Sequence, residues 1–179
     1  MSESEKSAKF FYQHRRSIAE EAIMILLIVL SLVGIGVMNF SPTDGYFYWI
    51  AMILVFGLAA MATSFLQAKE GVHIIRDVWI EQSLHWFGAL LATGGTLLLL
   101  QLNIIDDRGA GLVMLLVLSL AAYLDGLRIG WHFGLVGNFL GLTAIVIPTT
   151  PYFMWILFIL ATITIGLAIY LDKRRNALA

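Results

Sequence analysis

Residues 22–40, AIMILLIVLSLVGIGVMNF, run without a single charged side chain for the length of a bilayer-crossing helix. A helix rises about 1.5 Å per residue and the hydrocarbon core is about 30 Å thick, so roughly 20 apolar residues make a span. Because lipid offers the backbone no hydrogen-bond partners, such a run must be helical. Five more runs of this kind follow, at 46–66, 84–105, 109–124, 129–147 and 152–171, the fourth of them short. Segments of alternating polarity, as a β-barrel would need, are absent from the sequence. The expectation is an all-α, polytopic transmembrane bundle of six spans.

Composition agrees: 60% of residues are hydrophobic, 13% are charged and the mean hydropathy is +0.87, values outside the range of soluble domains. What remains is an arm at 1–16, a polar link at 67–83 and a basic tail at 172–179 around the membrane domain at 17–171, too little for a folded soluble domain. The first run follows a basic arm without a small-residue cleavage site, so it reads as a retained signal anchor. The chain has no cysteine, which removes disulfides, thiolate metal sites and cysteine nucleophiles. A net charge of -1 speaks against nucleic acid as a partner.

Orientation follows from the basic residues. With six spans and a cytoplasmic N-terminus, Lys6, Lys9, Arg15, Arg16, Lys69, Arg76, Arg128, Lys173, Arg174 and Arg175 all fall inside, and only Arg108 falls outside. The positive-inside rule therefore places both termini in the cytoplasm. Small size and short loops suggest a bacterial inner membrane. Ser17 and Glu20 fit an S-x-x-E capping box, so the first helix is expected to begin there.

The one long polar interruption, residues 67–88, reads QAKEGVHIIRDVWIEQSLHWFG. Glu70, His73, Asp77 and Glu81 share a narrow arc at about 100° per residue, with Val72, Ile75, Val78 and Trp79 opposite. The pattern predicts an amphipathic cytoplasmic elbow over 67–83. Asp77, Glu81 and His85, four residues apart, could ligate a cation or meet Arg128, although one helix cannot complete a metal shell alone. As a solvated face, the same residues would serve as a docking or regulatory surface.

Small residues supply the second pattern. Gly88, Ala92 and Thr96 recur at four-residue steps from His85, with Ala89 and Gly95 beside them, so this face of the third helix is expected inside the bundle. Gly126, Gly130 and Gly134 form consecutive G-x-x-x-G steps in the fifth helix, Asn138 continues the row, and Gly137 and Gly141 flank it. That row should meet another helix or another copy of the chain. Asn138, near the middle of its span, either bonds across helices or lines a path. His132 shares a face with Arg128 and Asp125, making a cytoplasmic polar cluster with His73. His85 and His132 sit at similar depths, which would allow a bis-histidine haem or a divalent metal between them. They face apart, however, if the glycine row packs on the third helix. HWFGALLATGG from His85 also aligns without gaps on WHFGLVGNFLG from Trp131, hinting that helices 3 and 4 repeat as helices 5 and 6.

Every charge maps to a helix end or a connection, which disfavours proton relays and ion-coupled carriers. Hydrolase, P-loop and dinucleotide motifs are missing. Three function classes remain. The first is an uncoupled channel or facilitator for an ion or small solute, self-associated in the lipid bilayer. The second is a non-catalytic accessory subunit bound to another membrane protein. The third is a histidine-based metal or haem membrane protein.

Overall fold

The computed structural model describes residues 3–67, 72–150 and 153–178, with side chains at 18–41, 44–65, 76, 79–150 and 153–174; all secondary structure among them is helical. The order is α1 Glu3–Phe40, α2 Pro42–Gln67, α3 Val72–Gln101, α4 Asp107–Arg128, α5 Trp131–Val146 and α6 Phe153–Leu178. Five helices are long and apolar enough to cross a membrane, over Ile18–Phe40, Asp44–Phe65, Trp79–Gln101, Asp107–Arg128 and Phe153–Arg174. The sixth, α5, has only 16 residues. The short member is thus α5 and not the fourth run, because α4 extends over 22 residues and the chain breaks at Gly130 between the two.

The local sequence explains most boundaries. Ser41 alone separates α1 from α2, with its hydroxyl donating to Asp44 Oδ2 at 2.6 Å, and Pro42 stands at the first helical position, where a missing N–H costs nothing. α3 closes in a Schellman turn. Asn103 takes the left-handed conformation at φ 55°, Ile104 N–H donates to Leu99 O and Asn103 N–H to Leu100 O, each at 3.0 Å. Asp106 then caps α4, accepting from Gly109 N–H at 2.8 Å.

Three expectations need correction. Helix α1 is continuous from Glu3, so the Ser17–Glu20 pair lies within it and caps nothing. The segment expected as an elbow is not a separate element, since α3 runs unbroken from Val72 into the membrane-length part. The glycine row is not on one helix: Gly126 belongs to α4, and Gly130, in extended backbone, precedes α5.

Packing puts α2 and α4 at the centre. Helix α4 contacts α2, α3 and α5, α1 contacts α2, α5 and α6, and α3 and α6 lie at the two flanks. Only 22% of the α3 and α6 spans is buried, against 44% for α2 and α4, which makes the flanking helices the lipid-facing or partner-facing ones. The core is filled by Trp49, Phe56, Met114, Leu118, Phe139 and Leu140. The Tyr48 ring lies on Gly34, and its hydroxyl donates to Leu30 O at 2.7 Å, tying α2 to α1.

The α4–α5 hairpin is the tightest interface. A Cβ on Gly126 would collide with the Gly134 backbone, and one on Gly137 with the Tyr123 backbone. Ser119 Oγ exploits that approach, donating to Gly137 O at 2.9 Å. The glycines therefore do meet a neighbouring helix, but it is α4, not α3. Gly88, Gly94 and Gly95 of α3 have nothing within reach of an added Cβ, and Gly88 and Ala92 are exposed. The expected inward face is thus split: Ala89 and Thr96 are buried, while Gly88, Ala92 and Gly95 are uncovered.

Candidate functional site

At the end of the bundle where α2 stops, α3 enters and α4 leaves, Asp125 is fully buried. Its position follows from α4: Met114, Leu118, Ala121 and Ala122 make the inward stripe of that helix, and Asp125 is the next residue on it. A buried carboxylate needs donors close by. Trp86 of α3 supplies one, Nε1–H to Oδ2 at 2.9 Å. The indole itself is clamped between Phe56, at 6.4 Å between ring centroids, and Gly57, where a Cβ would approach it to 3.2 Å.

His85, the preceding residue on α3, stands at the other oxygen, with Nε2 at 3.7 Å from Asp125 Oδ1 and 3.0 Å from Ala121 O. A carbonyl only accepts, so Nε2 carries the proton in this arrangement. Gln82, also buried, acts on the same carboxylate and reaches Ser64 of α2, Nε2 to Oγ at 3.3 Å. In that orientation Gln82 Oε1 and Asp125 Oδ1 are left without partners. Turning the amide over gives the carboxylate an N–H and lets the Ser64 hydroxyl donate to Oε1, an exchange open to any primary amide. Ser64, Gln82, His85, Trp86 and Asp125 thus form one polar centre joining α2, α3 and α4.

A second cluster lies at the same end among α1, α5 and α6. His132, buried, bonds through Nε2 to Asp172 Oδ2 at 2.9 Å, and its Nδ1 faces Glu20 Oε2 at 3.8 Å. Both clusters join a ring nitrogen of one helix, Trp86 at the middle of α3 and His132 at the start of α5, to a carboxylate near the end of the next, with sequence separations of 39 for Trp86–Asp125 and 40 for His132–Asp172. The gapless alignment noted in the sequence pairs Trp86 with His132, but the same offset sets Asp125 against Leu171, so the second carboxylate falls one residue out of register.

The sequence candidates distribute as follows. Glu81 pairs with Arg128, Nη2 to Oε2 at 2.7 Å, at the exposed edge of the first cluster. His85 turns inward to Asp125, away from Glu81's partner. His73 and Asp77 lie outside the described side chains. His132 joins neither Asp125 nor Arg128, because the break at Gly130 ends the face they were expected to share. His85 and His132 belong to different helix groups, each with its own carboxylate. Asn138 is exposed and donates within its own helix to Gly134 O at 3.0 Å. With Ser119, Tyr123, Gly137 and Gly141 it lines a groove on the α4–α5 surface. Among the described residues, no group of three or more His, Cys, Asp or Glu is arranged to hold a metal ion.

Sequence reasoning missed Trp86, Gln82 and Ser64 as partners of Asp125, and Glu20 and Asp172 as partners of His132. One signal was present: Leu157, Ala161, Thr164 and Ala168 form the inward stripe of α6, and Asp172 ends it as Asp125 ends that of α4. The chain matches no protein-family model, no curated protein and no solved structure at a significant level.

Proposed function

We propose that this is a small, self-associating membrane facilitator for an ion or small solute, and that the polar centre around Asp125 is where that species meets the bundle. Both termini are cytoplasmic in this reading, as the distribution of basic residues suggests, and the membrane is a bacterial inner membrane, a reading that draws on small size and short loops. The observation that supports it is a carboxylate with no exposed surface in the last turn of α4, enclosed by side chains of α2 and α3. Ionisable groups buried in membrane helices are costly and often mark ion and solute pathways. The exposed Asn138 fits the same reading: it can line a path only where a second copy covers the α4–α5 groove.

Liposomes containing the purified protein test this, with proton and alkali-cation flux followed by dyes and glycerol or urea entry by swelling. Wild type should exceed empty vesicles for one of these species. Asp125→Asn, which keeps the shape and an acceptor for Trp86, should lower that flux by roughly tenfold or more, the scale of one charge-assisted hydrogen bond. Wild-type vesicles as tight as empty ones, or an Asp125→Asn protein as active as wild type, would remove the proposal.

A second reading, that of an accessory subunit, draws on the uncovered Gly88 and Ala92 face of α3. Small residues on a lipid-facing helix permit close approach of another helix. Tight vesicles together with a co-purifying membrane protein lost on Gly88→Leu would favour this reading over transport.

A further inference from the structure

At the other end of the bundle a cavity of about 760 Å³ opens between the end of α1, the start of α4 and the α5–α6 connection. Its size falls in the usual range of small-molecule sites, roughly 300–1,000 Å³. The lining divides by chemistry. Ile35, Met38, Leu112, Phe153 and Met154 make an apolar interior, while Asn39, Asp106 and Arg108 stand among the polar lining. Met38 is held in place by glycines: added Cβ atoms on Gly45 and Gly111 would both run into it.

Asp106, the N-cap of α4, and Arg108 in its first turn carry opposite charges two positions apart. One oxygen of Asp106 takes the Gly109 N–H, and neither the other oxygen nor the Arg108 guanidinium has a partner among the described residues. The helix ends Phe40, Asp107, Val146 and Phe153 gather around this level. Phe47, 61% exposed, and Trp155, 74% exposed, lie close by in sequence, as aromatic side chains do at the headgroup boundary.

We propose that this cavity holds one zwitterionic phospholipid of the phosphatidylethanolamine type. Its phosphate meets Arg108 and its ammonium meets Asp106, while an acyl chain lies along Met38, Leu112 and Phe153. A purely anionic headgroup satisfies Arg108 and leaves Asp106 facing a like charge, and a purely cationic amphiphile has the reverse defect. The charge pair therefore selects a ligand that bears both signs.

Native mass spectrometry of the full-length protein in detergent tests this, by titration with dioleoyl-phosphatidylethanolamine, dioleoyl-phosphatidylglycerol or glycerophosphoethanolamine. One phosphatidylethanolamine should be retained at concentrations where phosphatidylglycerol is retained at least about tenfold less, and the chainless headgroup should not bind. Arg108→Gln and Asp106→Asn should each weaken retention by roughly tenfold, the scale of one charge-assisted hydrogen bond. Asparagine remains a good helix N-cap, so the second variant changes the charge while preserving the start of α4. Leu112→Trp should fill the interior and abolish retention with helical content unchanged. Equal or better retention of phosphatidylglycerol overturns the proposal. So does unaltered binding in Arg108→Gln and Asp106→Asn, or in Leu112→Trp.

Discussion

Asp125 is one residue whose surroundings decide what it can do. An ionised carboxylate taken out of water costs several kcal/mol even after relaxation, so the donors around it are held at high stakes. Trp86→Phe keeps most of the packing against Phe56 and deletes one N–H, which should cost about 1.5–3 kcal/mol, the range for hydrogen bonds to charged groups. Thermal unfolding in detergent checks the size. A double-mutant cycle assigns it: in the Asp125→Asn background the Trp86→Phe penalty should shrink, and strictly additive losses would show that the two side chains act separately. The Glu81–Arg128 pair differs. Both side chains are exposed, and such pairs contribute about 0–1 kcal/mol.

Elements show where a sequence pattern and its packing part company. The G-x-x-x-G row predicted that Gly126, Gly130 and Gly134 act alike, but the break at Gly130 folds the row back on itself, so Gly126 and Gly134 face each other across a hairpin. Gly137→Ala would drive a methyl into the Tyr123 and Ser119 backbone, whereas at Gly134 the nearest atom is 3.7 Å from the added Cβ. Gly137→Ala should therefore destabilise by about 1–3 kcal/mol, as overpacking does, and Gly134→Ala should be near neutral; thermal midpoints of the two variants decide. The six helices were legible because an apolar run in lipid must be helical, although five of them, and not six, are long enough to span. Which faces meet was not, since α3 and α4 both carry small residues and only the tight turn at Ile129 and Gly130 commits α5 to α4. The partners of Asp125 were illegible for the same reason: Trp86 lies 39 residues away on α3, and nothing in the local pattern of α4 points to it.

The whole molecule has two ends of different character. One holds Asp125, His132 and their partners, and the other holds the Asp106–Arg108 cavity. If the basic residues orient the chain, single cysteines placed at Arg108 and Lys173 should label from opposite sides of the membrane, and labelling from one side would refute the proposed topology. The native chain contains no cysteine, so each probe reports alone. At about 1.5 Å per residue, the 16 residues of α5 extend only about 24 Å, short of the roughly 30 Å hydrocarbon core. The α4 partner, with 22 residues, has no such deficit. If α5 crosses the bilayer, the membrane beside it must thin or draw Trp131 and the Pro148 turn inward, each at a fraction of a kcal/mol per Å. Acyl-chain length then becomes a variable that tilts the α4–α5 hairpin against the rest of the bundle.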